Sequence, residues 1–124
     1  MASQFSNNNI VLYHYTTADG LNGIIRSRRI NSSVQNSRRA DVRYGEGVYL
    51  TALPPNTSKF LIALNNYDGM NLSKLISDGK VDYFIKIVFS RNDPNLKDCA
   101  NDRSVWLYDG DINLNHFQVE VGQL

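Results

Sequence analysis

The sequence has little of what metal centres, disulfides and membrane spans require. Among 124 residues there is one cysteine, Cys99, and there are two histidines, His14 and His116. A lone thiol excludes an internal disulfide, and these three side chains do not make a closed Cys/His zinc site. Uninterrupted apolar stretches, such as 10–13, fall far short of the ~20 residues that span a bilayer. The first residues, MASQFSNNN, lack the basic and apolar parts of a secretory signal, so we expect action in a cytoplasm without membrane contact.

The signatures of several common enzyme classes are missing as well. The sequence contains no G-x-x-x-x-G-K-[ST] phosphate loop, no dinucleotide-binding G-x-G-x-x-G, no H-E-x-x-H and no G-x-S-x-G. A catalytic site in this chain must be built from other residues.

An excess of positive charge is confined to one segment. The net charge of +1 argues against a protein whose whole surface binds nucleic acid. Residues 26–43 nevertheless hold six arginines and a single acid, Asp41. Such a segment suits the phosphates of a nucleotide or of an anionic macromolecule, and it is equally typical of a solvated loop.

Hydrophobic patterning predicts one α+β domain over residues 1–124, with the polar residues 1–9 frayed. Helical patterns come early and strand patterns late, unlike the alternation of a Rossmann fold. The last two predicted strands are expected to be joined by a loose hairpin-like connection. The predicted strands cover 10–15, 29–34, 45–51, 82–90, 105–108 and 117–121, and the predicted helices follow an N-cap at Thr16 or Thr17 and cover 58–65 and part of 70–78.

Three short blocks suggest chemistry. LYHYTT at 12–17 places a histidine at the end of the first strand and hydroxyls at a helix start, and YGEGVYLTALPP at 44–55 contains Tyr49. Each feature has a purely structural explanation, because a strand-end histidine can bond a carbonyl and a tyrosine can pack across a sheet. In this order and spacing, the blocks resemble the small H-Y-D type of ADP-ribosyltransferase found in bacterial polymorphic toxins. NDPNLKD at 92–98 is also similar to a block of rifamycin ADP-ribosyltransferases.

The resemblance implies a fold and a set of roles. The fold would be a small two-sheet split β-sandwich of about six strands with two or three short helices, and NAD would bind in the cleft. His14 would bond the nicotinamide-side ribose, the Tyr15 backbone would meet the carboxamide, and Tyr49 would lie against the nicotinamide ring. The further cofactor-binding residues implied are Thr16, Thr57 and Phe60 around the nicotinamide, and Arg28 and Arg29 near the phosphates.

Two of these assignments have alternatives. Phe60, with Leu61 and Leu64, also has the spacing of a core-facing helix. The catalytic acid is predicted to be Asp93 from its Asp-Pro-Asn context, which is also an ordinary turn signal. The related poly(ADP-ribose) polymerases place a glutamate at the start of a late strand; by that resemblance the position here is near Ser104, and the nearest acid is Asp102.

These residue types suit cleavage of the nicotinamide–ribose bond. That reaction develops oxocarbenium character, which a carboxylate stabilises, and aromatic rings offer a flat site for the leaving group. We therefore expect an NAD-dependent ADP-ribosyltransferase, a glycosyltransferase in class, with an unknown acceptor chosen by loop 35–43. The alternatives are an NAD glycohydrolase or small-acceptor enzyme, and a catalytically silent module that binds ADP-ribose or nucleic acid. A toxin would imply an immunity protein as partner.

Overall fold

A computed structural model of the chain describes residues 8–32, 45–67, 71–99 and 103–124. The predicted frayed segment falls mostly before residue 8, and loop 35–43 lies outside the described residues. The described residues form an α+β fold, as predicted, with three helices and three small sheets. The strands are β1 (Asn9–Thr16), β2 (Arg29–Ile30), β3 (Val48–Leu50), β4 (Tyr83–Ser90), β5 (Leu96–Asp98), β6 (Trp106–Tyr108), β7 (Ile112–Asn113) and β8 (Gln118–Gln123). The helices are α1 (Ala18–Ser27), α2 (Lys59–Asn66) and α3 (Leu72–Ser77), with a 3-10 turn at Leu114–His116.

The longest strands form an antiparallel sheet with the order β1-β4-β8. β1 begins at Asn9, opposite Ser90, one residue before its predicted start. Side chains alternate between the two faces of the sheet, so that Leu12 lies opposite Ile87 and both are fully buried. Burial of one such side chain stabilises the fold by ~1.5–3 kcal/mol.

A second sheet, with the order β3-β6-β5, lies beside β1. It is linked to β1 by an isolated antiparallel pair, Tyr13 and Thr51. The third sheet pairs β2 with β7. All three sheets contribute to one core, whose buried members are Ile10, Leu12, Leu21, Ile30, Val48, Leu50, Ile85, Ile87, Phe89, Ile112 and Leu114.

α1 begins at Thr17, one of its two predicted caps, whereas α2 is capped by Ser58 and begins one residue after its predicted start. The Thr17 hydroxyl accepts from the Gly20 N–H at 3.0 Å, and Ser58 caps α2 by accepting from the Leu61 N–H at 3.2 Å. α2 and α3 pack on the opposite face of the β1-β4 sheet through a second core. Its buried residues are Tyr15, Ile62, Ala63, Tyr67, Leu75 and Val81.

The orientation of α2 corrects one expectation. Phe60, Leu61 and Leu64 share a helical spacing, yet their exposed fractions are 54%, 52% and 44%. The buried face of α2 is instead formed by Ile62, Ala63 and Asn65. The three apolar residues therefore do not belong to the core, because the neighbouring residues of the helix already fill it.

The connectivity of the last strands also differs from the prediction. β6 and β8 do not form a hairpin, since β6 lies between β3 and β5 while β8 pairs with β4. The short strands β5 and β7 were not expected from the sequence, because two- and three-residue strands lack a readable hydrophobic alternation. Among the described residues, no helix is long and apolar enough to cross a membrane.

Candidate active site

The candidate site lies where β1 and β3 meet and then part. The Tyr13 N–H donates to the Thr51 carbonyl at 2.8 Å, and the Thr51 N–H donates back to Tyr13 at 3.0 Å. This pair is isolated, so the two strands make no ladder beyond it. His14 follows Tyr13 directly, and Tyr49 precedes Thr51 by two residues. Both predicted residues therefore lie at the point of separation.

The His14 ring spans this separation. Its Nδ1 lies 3.0 Å from the carbonyl oxygen of Tyr49, and the side chain is half-buried. A carbonyl accepts only, so Nδ1 carries the proton in this contact. The ring thus bonds a backbone carbonyl where a neighbouring strand would otherwise do so. This contact fixes both the tautomer and the direction of the imidazole.

Tyr49 is held at both ends. Its neighbours in β3, Val48 and Leu50, are buried in the main core, so the half-buried ring of Tyr49 points to the other face. Its hydroxyl donates to the Gly45 carbonyl at 2.7 Å. The ring is therefore placed by its strand and by a side-chain hydrogen bond, as a stacking platform requires.

Tyr15 continues β1 beyond His14, and its side chain and its backbone face different surroundings. Its side chain is buried, its hydroxyl donates to the Leu53 carbonyl at 2.7 Å, and burial raises the pKa of the phenol. Because hydrogen-bonding directions alternate along an antiparallel strand, the N–H and C=O of Tyr15 point to the same side as those of Tyr13. That side is the one on which β3 has parted from β1. Thr16 ends β1 next to this region, with its hydroxyl against Gly20.

Thr57 lies just before α2, and Phe60 lies in its first turn. The Thr57 N–H donates to the Pro54 carbonyl at 3.0 Å in the turn before the helix. Phe60 is in the first turn of α2 and more than half exposed. Both roles at the nicotinamide stay predictions.

Arg28 and Arg29 lie at the far end of α1, about 15 Å from its N-cap at 1.5 Å per residue. Arg28 Nε donates to Asn115 Oδ1 at 3.1 Å, and Arg29 forms an exposed ion pair with Asp111 at 3.5 Å. These contacts lie on the β2-β7 side of the fold. The structure therefore does not gather the two arginines around His14.

Asp93 is also separated from His14. Ile85 lies opposite His14, and Ser90 is about 16 Å further along β4 at ~3.3 Å per residue. The Asp93 N–H donates to the Ser90 carbonyl at 3.0 Å, and its carboxylate accepts from the Asn95 N–H at 2.9 Å. The Asp-Pro-Asn block thus forms a turn, as its composition indicates.

The Asp93 turn does reach the sheet that carries Tyr49. Pro94 and Asn95 line a cavity of about 330 Å³ together with Gly45, whose carbonyl accepts from Tyr49. The cavity is also lined by Glu46, Lys97, Leu107 and Asp109. Tyr49, Leu107 and Lys97 are consecutive register partners across the three strands, so they share this face.

Asp102, the alternative acid, lies outside the described residues. Ser104, at the predicted position of the late-strand acid, lies just before β6 and beside the end of β3. Its hydroxyl accepts from the Ala52 N–H at 2.8 Å. The sequence analysis missed two buried polar residues here, Thr51 and Asn65. An asparagine within the apolar helix FLIALNN is the only signal that pointed to the second.

The described residues hold no group of three or more His, Cys, Asp or Glu side chains that would bind a metal ion.

Comparison with known proteins identifies the family. A toxin-type family model, described as HYD1 signature containing ADP-ribosyltransferase, matches residues 12–116. The match includes His14, Tyr49 and Asp93. The chain has no significant match among curated proteins or solved structures. Since the matched segment is most of the chain, this protein belongs to the HYD1-signature ADP-ribosyltransferases.

Proposed function

We propose that this protein cleaves the nicotinamide–ribose bond of NAD and transfers ADP-ribose to an acceptor, at the separation of β1 and β3. The observation that carries the proposal is the 3.0 Å contact between His14 Nδ1 and the Tyr49 carbonyl. It joins the two residues of the H-Y signature, 35 positions apart in sequence, at the one place where the strands open.

The chemistry of nicotinamide fits the groups present. Its carboxamide needs a donor and an acceptor together, and the backbone N–H and C=O of Tyr15 offer both on the open side of β1. Its ring needs a flat apolar partner, and the Tyr49 ring is half-exposed and held by Gly45.

His14 has the ribose as its proposed target. Its Nδ1 donates to a backbone carbonyl, so Nε2 accepts from a ribose hydroxyl and fixes the sugar for bond cleavage. As the C–N bond breaks, positive charge develops on the ribose, and a carboxylate near that carbon lowers the barrier. We keep Asp93 and Asp102 as the two proposed sources of that carboxylate.

The catalytic acid is identified by measuring nicotinamide release from NAD by the purified wild type and by the variants Asp93→Asn and Asp102→Asn. We expect the variant that lacks the catalytic carboxylate to lose roughly 10²–10³ in kcat. Asp78→Asn is the matched control, because Asp78 forms an exposed ion pair with Lys74 at 3.1 Å, away from every predicted site residue. Equal activity in all three variants would remove the carboxylate from the mechanism.

The same assay tests the proposed reaction as a whole. Release of nicotinamide without acceptor indicates a glycohydrolase or a small acceptor, whereas release only with cell lysate indicates transfer to a macromolecule. No release in either case, with the fold verified by circular dichroism, would contradict the proposal and favour a silent binding module. An immunity protein, if the chain acts as a toxin, is expected to abolish release when it binds over the cleft.

A further inference from the structure

Asn65 is a buried polar side chain on a helix that otherwise buries apolar residues. It lies in the last turn of α2 with 9% of its surface exposed, beside the buried Ile62 and Ala63. A buried amide is costly unless its donors and acceptor are all bonded. Its position therefore has to be explained by its partners.

The Asn65 amide binds the chain where β6 begins. Its Oδ1 accepts from the Ser104 N–H at 2.8 Å, and its Nδ2 donates to the Ser104 carbonyl at 2.8 Å. These two bonds replace the pair that an adjacent strand would supply. The Arg103 guanidinium also donates to the backbone carbonyl of Asn65, at 2.5 Å.

The same amide reaches the β1-β3 joint, which is the isolated backbone pair of Tyr13 and Thr51. Its Nδ2 lies 3.2 Å from the Thr51 hydroxyl, and Thr51 forms the isolated backbone pair with Tyr13. The Nδ2 lies 2.8 Å from Asn66 Oδ1 as well, so its two hydrogens are shared among three acceptors. One side chain thus ties the end of β3, and through it β1, to the start of β6. His14 and Tyr49 lie one and two residues from this joint.

We propose that Asn65 is a positioning residue that holds the joint at which His14 meets Tyr49. Only an amide supplies a donor and an acceptor to Ser104 and a donor to Thr51, so neither an apolar nor a carboxylate side chain reproduces the set. This inference rests on the proposed function, because its consequence is a change in NAD cleavage.

The test compares Asn65→Leu and Asn65→Asp with wild type. Leucine removes all side-chain bonds, whereas aspartate keeps only the acceptor for the Ser104 N–H. Nicotinamide release and NAD affinity are measured well below each variant's unfolding temperature. We expect kcat to fall roughly 10- to 100-fold with the KM for NAD within threefold, since misplacement by a fraction of an ångström affects the reacting geometry most. Leu64→Ala is the control on the same helix, because Leu64 is 44% exposed, and it should stay within threefold of wild type.

A double-mutant cycle separates positioning from general destabilisation. In a His14→Ala background the Asn65→Leu effect should largely disappear, because no oriented ring is left to misplace. Additive losses, or unchanged kcat in both Asn65 variants, would overturn the proposal. If Asn65→Leu does not fold, Thr51→Val removes the hydroxyl that faces Asn65 and that also accepts from the Leu53 N–H at 3.2 Å; it should lower kcat severalfold, with wild-type kcat as the refuting result. An inactive wild type would instead refute the proposed function.

Discussion

Replacement of His14 separates the two roles assigned to its ring. Asparagine places a donor nitrogen at the δ position, so His14→Asn can retain the bond to the Tyr49 carbonyl while it lacks the ε nitrogen. His14→Ala removes both. We expect both variants to lose at least about 10² in the rate of nicotinamide release, because neither can orient the ribose.

The stability of the two variants should differ. The 3.0 Å bond to the Tyr49 carbonyl lies in a half-buried setting and contributes about 1 kcal/mol. His14→Ala should therefore lower the unfolding temperature by about 4 °C for a domain of this size, and His14→Asn by less. A loss of 10² in rate corresponds to about 2.7 kcal/mol. With native stability of roughly 5–15 kcal/mol, unfolding cannot account for that loss at 25 °C.

The assay is steady-state release of nicotinamide, followed by chromatography, beside thermal unfolding of each variant. His116→Ala is the control histidine, since His116 is exposed on a 3-10 turn, and it should leave both measurements unchanged. Activity of His14→Asn within threefold of wild type would refute the role of the ε nitrogen. Equal stability of His14→Ala and wild type would refute the contribution of the carbonyl contact.

Three further predictions concern single side chains. Tyr49→Phe removes the 2.7 Å bond to the Gly45 carbonyl and should lower the free energy of unfolding in urea by about 1 kcal/mol, with kcat within a fewfold of wild type. Tyr49→Ala also removes the ring and should lower kcat by roughly 10² or more; equal inactivity of the two variants would contradict stacking. Arg28 has a φ of 59°, so Arg28→Gly should relieve about 1 kcal/mol of left-handed strain, which offsets the lost hydrogen bond to Asn115. A decrease of more than ~1 kcal/mol in the free energy of unfolding in urea would contradict this account. Burial raises the pKa of the Cys99 thiol, so less thiolate is present at a given pH than in the unfolded chain. The rate of modification by iodoacetamide, measured against pH, should therefore have its midpoint at a higher pH in the folded protein than in urea, and a lower midpoint would contradict this.

The sequence carried the local features of the fold. Thr17 caps the helix that follows it, and the β-branched and aromatic run after Asn9 forms β1, an edge strand of the longest sheet. These features depend on residues within a few positions of one another, so patterning and capping chemistry are sufficient to predict them.

Such local rules do not predict which strands pair with each other. β6 was visible as a strand, but its neighbours β3 and β5 come from distant parts of the chain. The apolar spacing of Phe60, Leu61 and Leu64 indicated a buried face, whereas packing of the same helix buries other residues. Which side of an amphipathic or evenly apolar helix is buried depends on the shape of the surface it meets.

By itself, the sequence determined the α+β class, the family signature and the placement of His14 and Tyr49 in strands. Only the tertiary structure decided that these two residues touch, that Asp93 lies in a turn at the far end of β4, and that Asn65 reaches Thr51 and Ser104. The physical reason is range: a propensity or a cap is fixed by neighbours along the chain, whereas hydrogen bonds between residues 14 to 39 positions apart exist only once the sheets and helices have packed.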